Sequence, residues 1–138
     1  MNDSNLQILQ PKNWITPQGY ANGVVAEGRQ VFIAGQIGWD EQARLVSDDF
    51  VIQVERALSN VIRILAEAGG MPQHLTRLTW YVTDKAVYVA RRNEVGDAYR
   101  RVLGRHFPAM TLVVVAALLE EGAVVEIEAT AVVPSKQN

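Results

Sequence analysis

Two glutamates near the end of the chain offer the carboxylates that acid–base chemistry would use. Glu126 and Glu128 are two residues apart in the segment VVEIEATAVV, and side chains two apart on a strand point to the same face. Two such carboxylates can serve as acid and base where burial separates their pKa values. A solvated strand face has the same spacing, and spacing alone favours that simpler interpretation.

The segment GQIGWD contains backbone groups that a ligand can approach closely. Gly35 and Gly38 lack side chains, and Trp39 follows them as a large apolar wall. The spacing matches neither the dinucleotide-binding fingerprint nor the phosphate-binding P-loop. Two interpretations stay open: a ligand-binding loop, or a tight turn whose tryptophan covers the edge of the core.

Other nucleophilic and metal-binding residue types are scarce. The chain has no cysteine and 2 histidines, His74 and His106. His106 is a candidate general base, but no serine or carboxylate stands near it in a recognisable pattern, so a surface loop position is favoured. Neither histidine has metal-ligand spacing, and the sequence therefore predicts no metal and no other cofactor.

Arginines cluster in and after the second predicted helix. They are Arg91, Arg92, Arg100, Arg101 and Arg105. Glu94 and Asp97 dilute this charge, and Asp97 has the i,i+4 spacing to pair with Arg101. Together with a net charge of -2 and a pI near 5.7, this favours a solvated helix face, and we expect no nucleic-acid partner.

The composition is that of one globular domain. The 138 residues are 49% hydrophobic and 20% charged, which fits a single domain over residues 1–138. The first ten residues do not have the pattern of a signal peptide, and no apolar run is long enough to cross a bilayer. We therefore expect a cytoplasmic protein without membrane contact.

Hydrophobic periodicity predicts two helices. Ser47 is a suitable N-cap for the first, which is expected to end at Gly69 and Gly70. Its apolar stripe consists of Val51, Val54, Leu58, Val61, Leu65 and Ala68. The second helix is predicted over residues 86–103. Gly96 inside it indicates close packing, because glycine costs about 1 kcal/mol there relative to alanine.

Five predicted strands give the order β-β-α-β-α-β-β. Residues 24–26 and 31–34 are expected to form a hairpin, a third strand ends near Asp84, and two more cover residues 110–119 and 123–133. This order predicts an α+β sheet with both helices on one face. The run LVVVAALL needs cover on both of its faces, so a second copy of the chain is expected over the other one.

Several motifs together resemble the RidA/YjgF family of small enamine/imine deaminases, over about residues 19–134. The motifs are Tyr20 with Gly23, VFIAGQI, LAEAGG, VTD closing a strand, Asn93-Glu94-Val95, FPA and VEIEATA. The resemblance implies a chorismate-mutase-like α+β fold with a mixed β-sheet. It also implies a homotrimer with a small-molecule pocket at each subunit interface, where Glu126 positions water and Tyr20 hydrogen-bonds the substrate.

One departure from the family pattern concerns the substrate carboxylate. The arginine that follows FPA in active deaminases is Met110 here, and a thioether offers neither charge nor donor. Ordinary 2-iminoacid deamination is therefore expected to be weak or absent. The resemblance implies a pocket formed by Ala34, Gly35, Gln36, Trp39, Asn93, Met110 and Leu112.

Two functions remain open for such a pocket, while a third, an RNA-directed activity credited to some members of the family, is disfavoured by the acidic balance. The first is hydrolysis of an imine, an enamine or a related catabolic intermediate with a largely apolar or aromatic body. The alternative is a non-catalytic trimeric protein that binds or senses a small ligand.

Overall fold

Six strands and three helices follow one another along residues 5–135, the part of the chain that the computed structural model describes. Their order is β1 (Leu6–Leu9), β2 (Gly23–Ala26), β3 (Arg29–Gln36), α1 (Phe50–Glu67), β4 (Leu75–Val82), α2 (Lys85–Ala90), α3 (Arg92–Leu103), β5 (Ala109–Val114) and β6 (Val125–Val133). A single turn of 3₁₀ helix, Pro72–His74, precedes β4. Strands β1 and β2 pair separately, and the other four form a mixed sheet in the order β3-β6-β4-β5. Within this sheet only β4 and β5 run parallel.

The core lies between α1, α3 and one face of the four-stranded sheet. The predicted stripe of α1 is confirmed from Val51 to Leu65, which are buried, whereas Ala68 is the partly buried C-cap that follows the helix. Alternate residues of β6 from Val125 to Val133 face the same core, because side chains on a strand alternate between its two faces. The two predicted helical regions therefore pack on one face of a mixed sheet, as expected.

The N-cap of the first helix lies two residues later than predicted. Asp49 is the N-cap, and its carboxylate accepts a hydrogen bond from the Ile52 N–H at 3.0 Å. The Ser47 hydroxyl instead accepts from the Asp49 N–H at 2.9 Å. The prediction of Ser47 as N-cap is wrong: two capping residue types stand close together, and the side chain of Asp49 is the one that caps the helix.

The second predicted helix is broken at Arg91. Residues 86–103 form α2 and α3 rather than one helix, and Arg91 between them has φ −109° and ψ 20°. The break lets Tyr88 pack edge-on against Phe50, with ring centroids 6.4 Å apart, while α3 packs along α1. No glycine or proline marks this break, so the sequence pattern contained no signal for it.

Strand pairing differs from the predicted hairpin. Strand β2 pairs with β1, which was not predicted, and β3 pairs with β6. The chain passes from one sheet to the other at Gly28, where φ is 144° and a Cβ would stand 2.9 Å from the carbonyl carbon of Val133. Only glycine tolerates this backbone and this contact, so the segment is a crossover between sheets.

Strand β5 is shorter than predicted. It ends at Val114, because its partner β4 ends at Val82, whose carbonyl accepts a last bond from the Val115 N–H at 2.9 Å. The rest of the predicted strand, residues 115–119, is a loop in which Leu119 is 98% exposed. The last strand likewise starts at Val125 instead of residue 123.

A buried glutamine connects α1 to two loops. Gln53 is completely buried, and its amide donates to the carbonyls of Ser47 and Gly122, both at 2.9 Å. Its carbonyl oxygen accepts from the Val124 N–H at 3.0 Å. Gly38 packs against the backbone of this same residue, since a Cβ at position 38 would lie 2.7 Å from the Cα of Gln53. The GQIGW loop is thereby held tightly against the helix.

The three helices within residues 5–135 are all too short or too polar to cross a membrane.

Candidate functional site

A cavity of about 520 Å³ opens where α3 approaches β4 and β5. Three predicted site residues line it: Tyr20, Met110 and Leu112. Tyr20 arrives there because the Ala21 N–H donates to the carbonyl of Pro108 at 3.0 Å, which aligns this segment with the start of β5. Met110 and Leu112 pair with Leu78 and Trp80 of β4, so both side chains lie on the helix-facing side of the sheet.

Aromatic rings make up much of the cavity wall. Tyr99 of α3 stacks on Phe107 with ring centroids 5.3 Å apart and an interplanar angle of 8°. It also lies nearly parallel to Trp80, with centroids 6.5 Å apart and an angle of 19°. The Tyr99 hydroxyl donates to the carbonyl of His106, and burial raises the pKa of this tyrosine well above its usual value. The stacked rings form a rigid apolar surface.

A second group of predicted site residues lies on the opposite edge of the sheet. A bulge interrupts the pairing of β3 with β6 between Ile33 and Gln36. Inside the bulge, the carboxylate of Glu126 lies so close to Gly35 that a Cβ there would stand 2.8 Å from its carboxyl carbon. Ala34 lies beside them on the exposed side of β3.

Glu126 and Glu128 share one face of β6 but have different surroundings. The Tyr81 hydroxyl donates to Glu128 at 2.6 Å, and this bond raises the pKa of the tyrosine. No hydrogen bond reaches the Glu126 side chain from any residue between 5 and 135. Glu128 is therefore held by a neighbouring strand, whereas both oxygens of Glu126 are available to water or a ligand.

Gln36 and Trp39 line a smaller recess of about 210 Å³ against α1. Its charged lining residues are Asp40, Glu41, Arg56 and Arg63, and Glu41 pairs with Arg63 at 2.7 Å and with Arg56 at 3.0 Å. Hydrogen bonds from these two arginines lower the pKa of Glu41 to about 2. The recess is thus a charge-neutralised pocket separate from the cavity that contains Met110.

Asn93 is exposed in the first turn of α3 and does not line the Met110 cavity. The resemblance grouped it with Met110, but the cavity wall next to it is formed by its neighbour Arg92.

Most of the predicted site residues therefore form two groups within one chain, apart from Gln36 and Trp39 in the smaller recess and Asn93 on α3. Tyr20, Met110 and Leu112 lie at the β5 edge on the helix-facing side, while Gly35 and Glu126 lie near the β3 edge. Three strand spacings of about 4.8 Å separate the edge strands, or about 14 Å. Glu126 also pairs with Tyr81, whose side chain is on the face away from the helices. One chain does not bring the two groups together.

Both histidines have structural partners. His106 Nε2 lies 2.8 Å from the carbonyl oxygen of Leu75, and His74 Nδ1 accepts from the Met71 N–H at 2.9 Å. Burial lowers the pKa of His74, with a smaller contribution from the neighbouring His106. These contacts fix the turn before β4 and the loop before β5.

Sequence reasoning missed the arginines of the cavity. Arg92 and Arg100 both line it, although the cluster was interpreted as a solvated face. The predicted pair of Asp97 with Arg101 is wrong: Asp97 pairs with Arg100 at 2.6 Å, and Arg101 pairs with Glu55 of α1 at 2.6 Å. The i,i+8 spacing across Gly96 is the signal that could have indicated one common face.

The mixed sheet with helices on one face, and a pocket at the edge of that sheet, define a class of small α+β proteins. The family model described as Endoribonuclease L-PSP matches residues 12–133. The chain belongs to this family, which includes the RutC and RidA/YjgF proteins, and the predicted fold is confirmed.

Similar proteins support the same assignment. Protein DfrA of Myxococcus xanthus is 38% identical over 113 residues, which cover 78% of this chain and 79% of that protein. A RutC family protein of Pyrococcus abyssi is 33% identical, covering 83% of this chain and 87% of the relative. The crystal structure of YyfB from Yersinia pestis, a Rid family protein described as of unknown function, superposes with a TM-score of 0.83. It is 28% identical and covers 94% of this chain and 99% of its own.

Proposed function

We propose that this protein binds a small molecule at the interfaces of a homotrimer and hydrolyses an imine, an enamine or a related intermediate. The observation that carries the proposal is the separation of the site residues into two groups on opposite edges of one sheet. A closed ring of identical subunits apposes one edge of each copy to the other edge of the next. Each seam would then combine the Met110 cavity of one subunit with the Gly35–Glu126 pair of its neighbour.

Exposed apolar side chains on the sheet support this assembly. Phe32 of β3 is 74% exposed, and Val113 and Val114 of β5 are 39% and 50% exposed. These residues lie on the two edge strands, and large apolar side chains on exposed strands favour association. A neighbouring copy would cover them and exclude water from the seam.

Glu126 is the group best placed to activate water. Its carboxylate takes a proton from water as the water oxygen bonds to the carbon of the protonated imine, which gives a neutral carbinolamine. The carboxyl then returns this proton to the amine nitrogen. The C–N bond breaks as the carbinolamine hydroxyl forms the carbonyl and gives its proton to the departing ammonia, so that a carbonyl product and ammonium leave and the carboxylate is restored. Tyr20 would hydrogen-bond the substrate or the leaving nitrogen, and the backbone at Gly35 would approach the carbonyl group.

Met110 argues against ordinary 2-iminoacids as the preferred substrates. Each charge-assisted bond from an arginine to a carboxylate contributes about 1.5–3 kcal/mol, so the loss of two weakens binding by about two to four orders of magnitude. We therefore expect 2-iminobutyrate, generated in situ, to be hydrolysed no faster than its spontaneous rate. Hydrolysis of 2-iminobutyrate as fast as that by an arginine-bearing relative would contradict the claim that Met110 weakens binding of the substrate carboxylate.

Mixing two variants tests the shared site directly. Glu126→Gln disables one group of site residues and Tyr20→Phe the other, and each is assayed on an aromatic imine without a carboxylate, generated in situ from benzylamine. In a randomly mixed trimer about a quarter of the seams contain two intact groups, so the mixture should recover about a quarter of wild-type activity. Trimers that show no recovery after mixing would rule out a site shared between subunits.

The alternative is a trimeric ligand-binding protein without turnover. Met110 favours this alternative, because a pocket without its anchoring cation can retain a ligand-sized apolar space. Measuring the affinity for phenylacetate and the imine turnover on the same Glu126→Gln protein separates the two. A binder has no turnover to lose, whereas an enzyme loses turnover and keeps its affinity.

A further inference from the structure

We propose that Arg92 and Arg100 bind the carboxylate of an aromatic acid whose ring enters the Met110 cavity. This inference rests on the proposed function, because it names the ligand class for the same pocket. Among the residues that line the cavity, Arg92 and Arg100 are the charged ones, and none is acidic. The cavity is therefore a cationic site with an apolar interior.

Arg92 lines the cavity and differs from its neighbours on α3 in having no acidic partner among the described residues. Its neighbour Arg91 is neutralised by Asp49 at 2.6 Å and Glu94 at 2.8 Å, and Arg101 is neutralised by Glu55. Arg92 makes no ion pair with any residue between 5 and 135, and its guanidinium lies 6.0 Å from the ring centroid of Tyr88. An unpaired guanidinium on an aromatic wall is available for bidentate binding of a carboxylate.

Arg100 reaches the same cavity because position 96 has no side chain. A Cβ at Gly96 would lie 3.3 Å from Nη1 of Arg100 and 3.6 Å from Nη2, so the guanidinium rests directly on the glycine. Residues 92, 96 and 100 lie on one face of α3 at four-residue intervals. The arm of Arg100 thus points back toward Arg92, as side chains on helices tend to do. Asp97 occupies only Nη2, which leaves Nη1 available to a ligand.

Burial sets the orientation of the ligand. Trp80 and Tyr99 are 4% and 5% exposed, whereas Arg92 and Arg100 are exposed at the rim. Phe107, Tyr99 and Trp80 stack on one another and form the apolar inner part of the cavity wall. An aromatic ring would enter first and lie against Met110, and its carboxylate would remain at the rim beside α3. A carboxylate held at position 110 would lie deeper, on the strand side of the cavity.

The experiment uses the full chain and three probes measured by calorimetry: phenylacetate, its neutral isostere phenylacetamide, and acetate. Wild-type protein should bind phenylacetate at least about ten-fold more tightly than either of the others, since the acid combines a charge-assisted pair with ring burial. Arg92→Met should weaken phenylacetate binding about ten-fold or more and leave phenylacetamide nearly unchanged. Arg101→Met, on the same helix but paired with Glu55, is the matched control and should leave both affinities unchanged.

A second variant tests Arg100 through its glycine. Gly96→Ala should stabilise α3, because alanine is the better helix former, and should still weaken phenylacetate binding several-fold by displacing the guanidinium. A gain in stability together with a loss of affinity cannot arise from misfolding. Arg100→Met should weaken phenylacetate binding as well, and unchanged affinity in both variants would remove Arg100 from the site.

The outcomes distinguish this inference from the proposed function. Equal binding of phenylacetamide and phenylacetate by the wild-type protein, or no effect of Arg92→Met, overturns the role of the arginines and leaves the pocket intact. Failure of all three probes to bind overturns both, because the cavity would then not be a ligand site.

Discussion

The carboxylate of Glu126 lies across the backbone of Gly35, at the bulge where β3 departs from its register with β6. A Cβ at position 35 would stand 2.8 Å from the carboxyl carbon and 3.0 Å from Cγ of Glu126. Glycine is therefore required at position 35 for a steric reason: it leaves space for the side chain of Glu126 from the neighbouring strand. The bulge and the glycine together set where this carboxylate points.

Gly35→Ala should displace the Glu126 carboxylate and lower the free energy of unfolding by about 1–3 kcal/mol, the usual cost of overpacking. Any imine turnover should fall as far as it does in Glu126→Gln. The measurement is urea unfolding at one fixed protein concentration, because subunit association would add to the apparent stability.

A control variant and a double variant test whether the cost of Gly35→Ala comes from a clash with Glu126. Gly23→Ala is the control, since a Cβ there meets Leu9 at an ordinary 3.4 Å. Combining Gly35→Ala with Glu126→Ala should recover about 1 kcal/mol relative to additivity, because the obstructing carboxylate is gone. If the losses in free energy of unfolding of the two single variants simply add in the double variant, a clash with Glu126 is not the reason for glycine at position 35.

Met110→Arg should introduce hydrolysis of 2-iminobutyrate, at a rate about ten-fold or more above that of the wild-type protein, by supplying the missing carboxylate ligand. The third cation should also lower stability, because no acidic residue lines the cavity beside Arg92 and Arg100. Met110→Leu conserves volume without charge and should leave the rate unchanged. If Met110→Leu accelerates the reaction as much as Met110→Arg, charge is not the cause.

Gln53→Leu should destabilise the protein by about 3–5 kcal/mol. The change keeps the volume but leaves the Ser47 and Gly122 carbonyls and the Val124 N–H without their buried partner, and each unsatisfied group costs about 1–3 kcal/mol. Gln42→Leu, at an exposed position, should change stability by less than about 0.5 kcal/mol. Equal unfolding midpoints for the two variants would mean that the buried hydrogen bonds of Gln53 do not contribute to stability.

The features that the sequence predicted are those that repeat along the chain. The stripe from Val51 to Leu65 and the alternation along β6 follow from burial of one face, and both are confirmed. Features that depend on a distant partner were not predictable. Strand β5 ends where β4 ends, and α2 separates from α3 at Arg91, whose side chain pairs with Asp49 of a remote loop.

The candidate site likewise combines features that the sequence predicted with features that depend on distant contacts. Tyr20 and Met110 are far apart in sequence, and only the family resemblance grouped them before the structure placed both at one cavity. The role of Arg100 depends on the absence of a side chain at Gly96. The sequence suggested close packing at this glycine, and the contact proves to be with an arginine of its own helix. The interpretation from charge alone placed Arg100 on a solvated helix face.

Tyr99→Phe should reveal how the stacked rings respond to pH. The Tyr99 hydroxyl donates to the His106 carbonyl, and its loss should cost about 1–3 kcal/mol at pH 8, since the acceptor keeps no partner. Burial raises the pKa of Tyr99 in the folded state, so the folded protein holds this proton more tightly than the unfolded chain does. The advantage of the wild type is therefore complete below the unfolded pKa of about 10 and declines as the pH rises above it.

Urea unfolding of the wild-type protein and of Tyr99→Phe at pH 8, 10 and 11 measures how this stability difference changes with pH. All other titrating groups are present in both proteins, so their contributions cancel in the difference. A wild-type advantage that stays constant to pH 11 would mean that the Tyr99 hydroxyl is not buried, and the apolar wall assigned to the cavity would then be open to water.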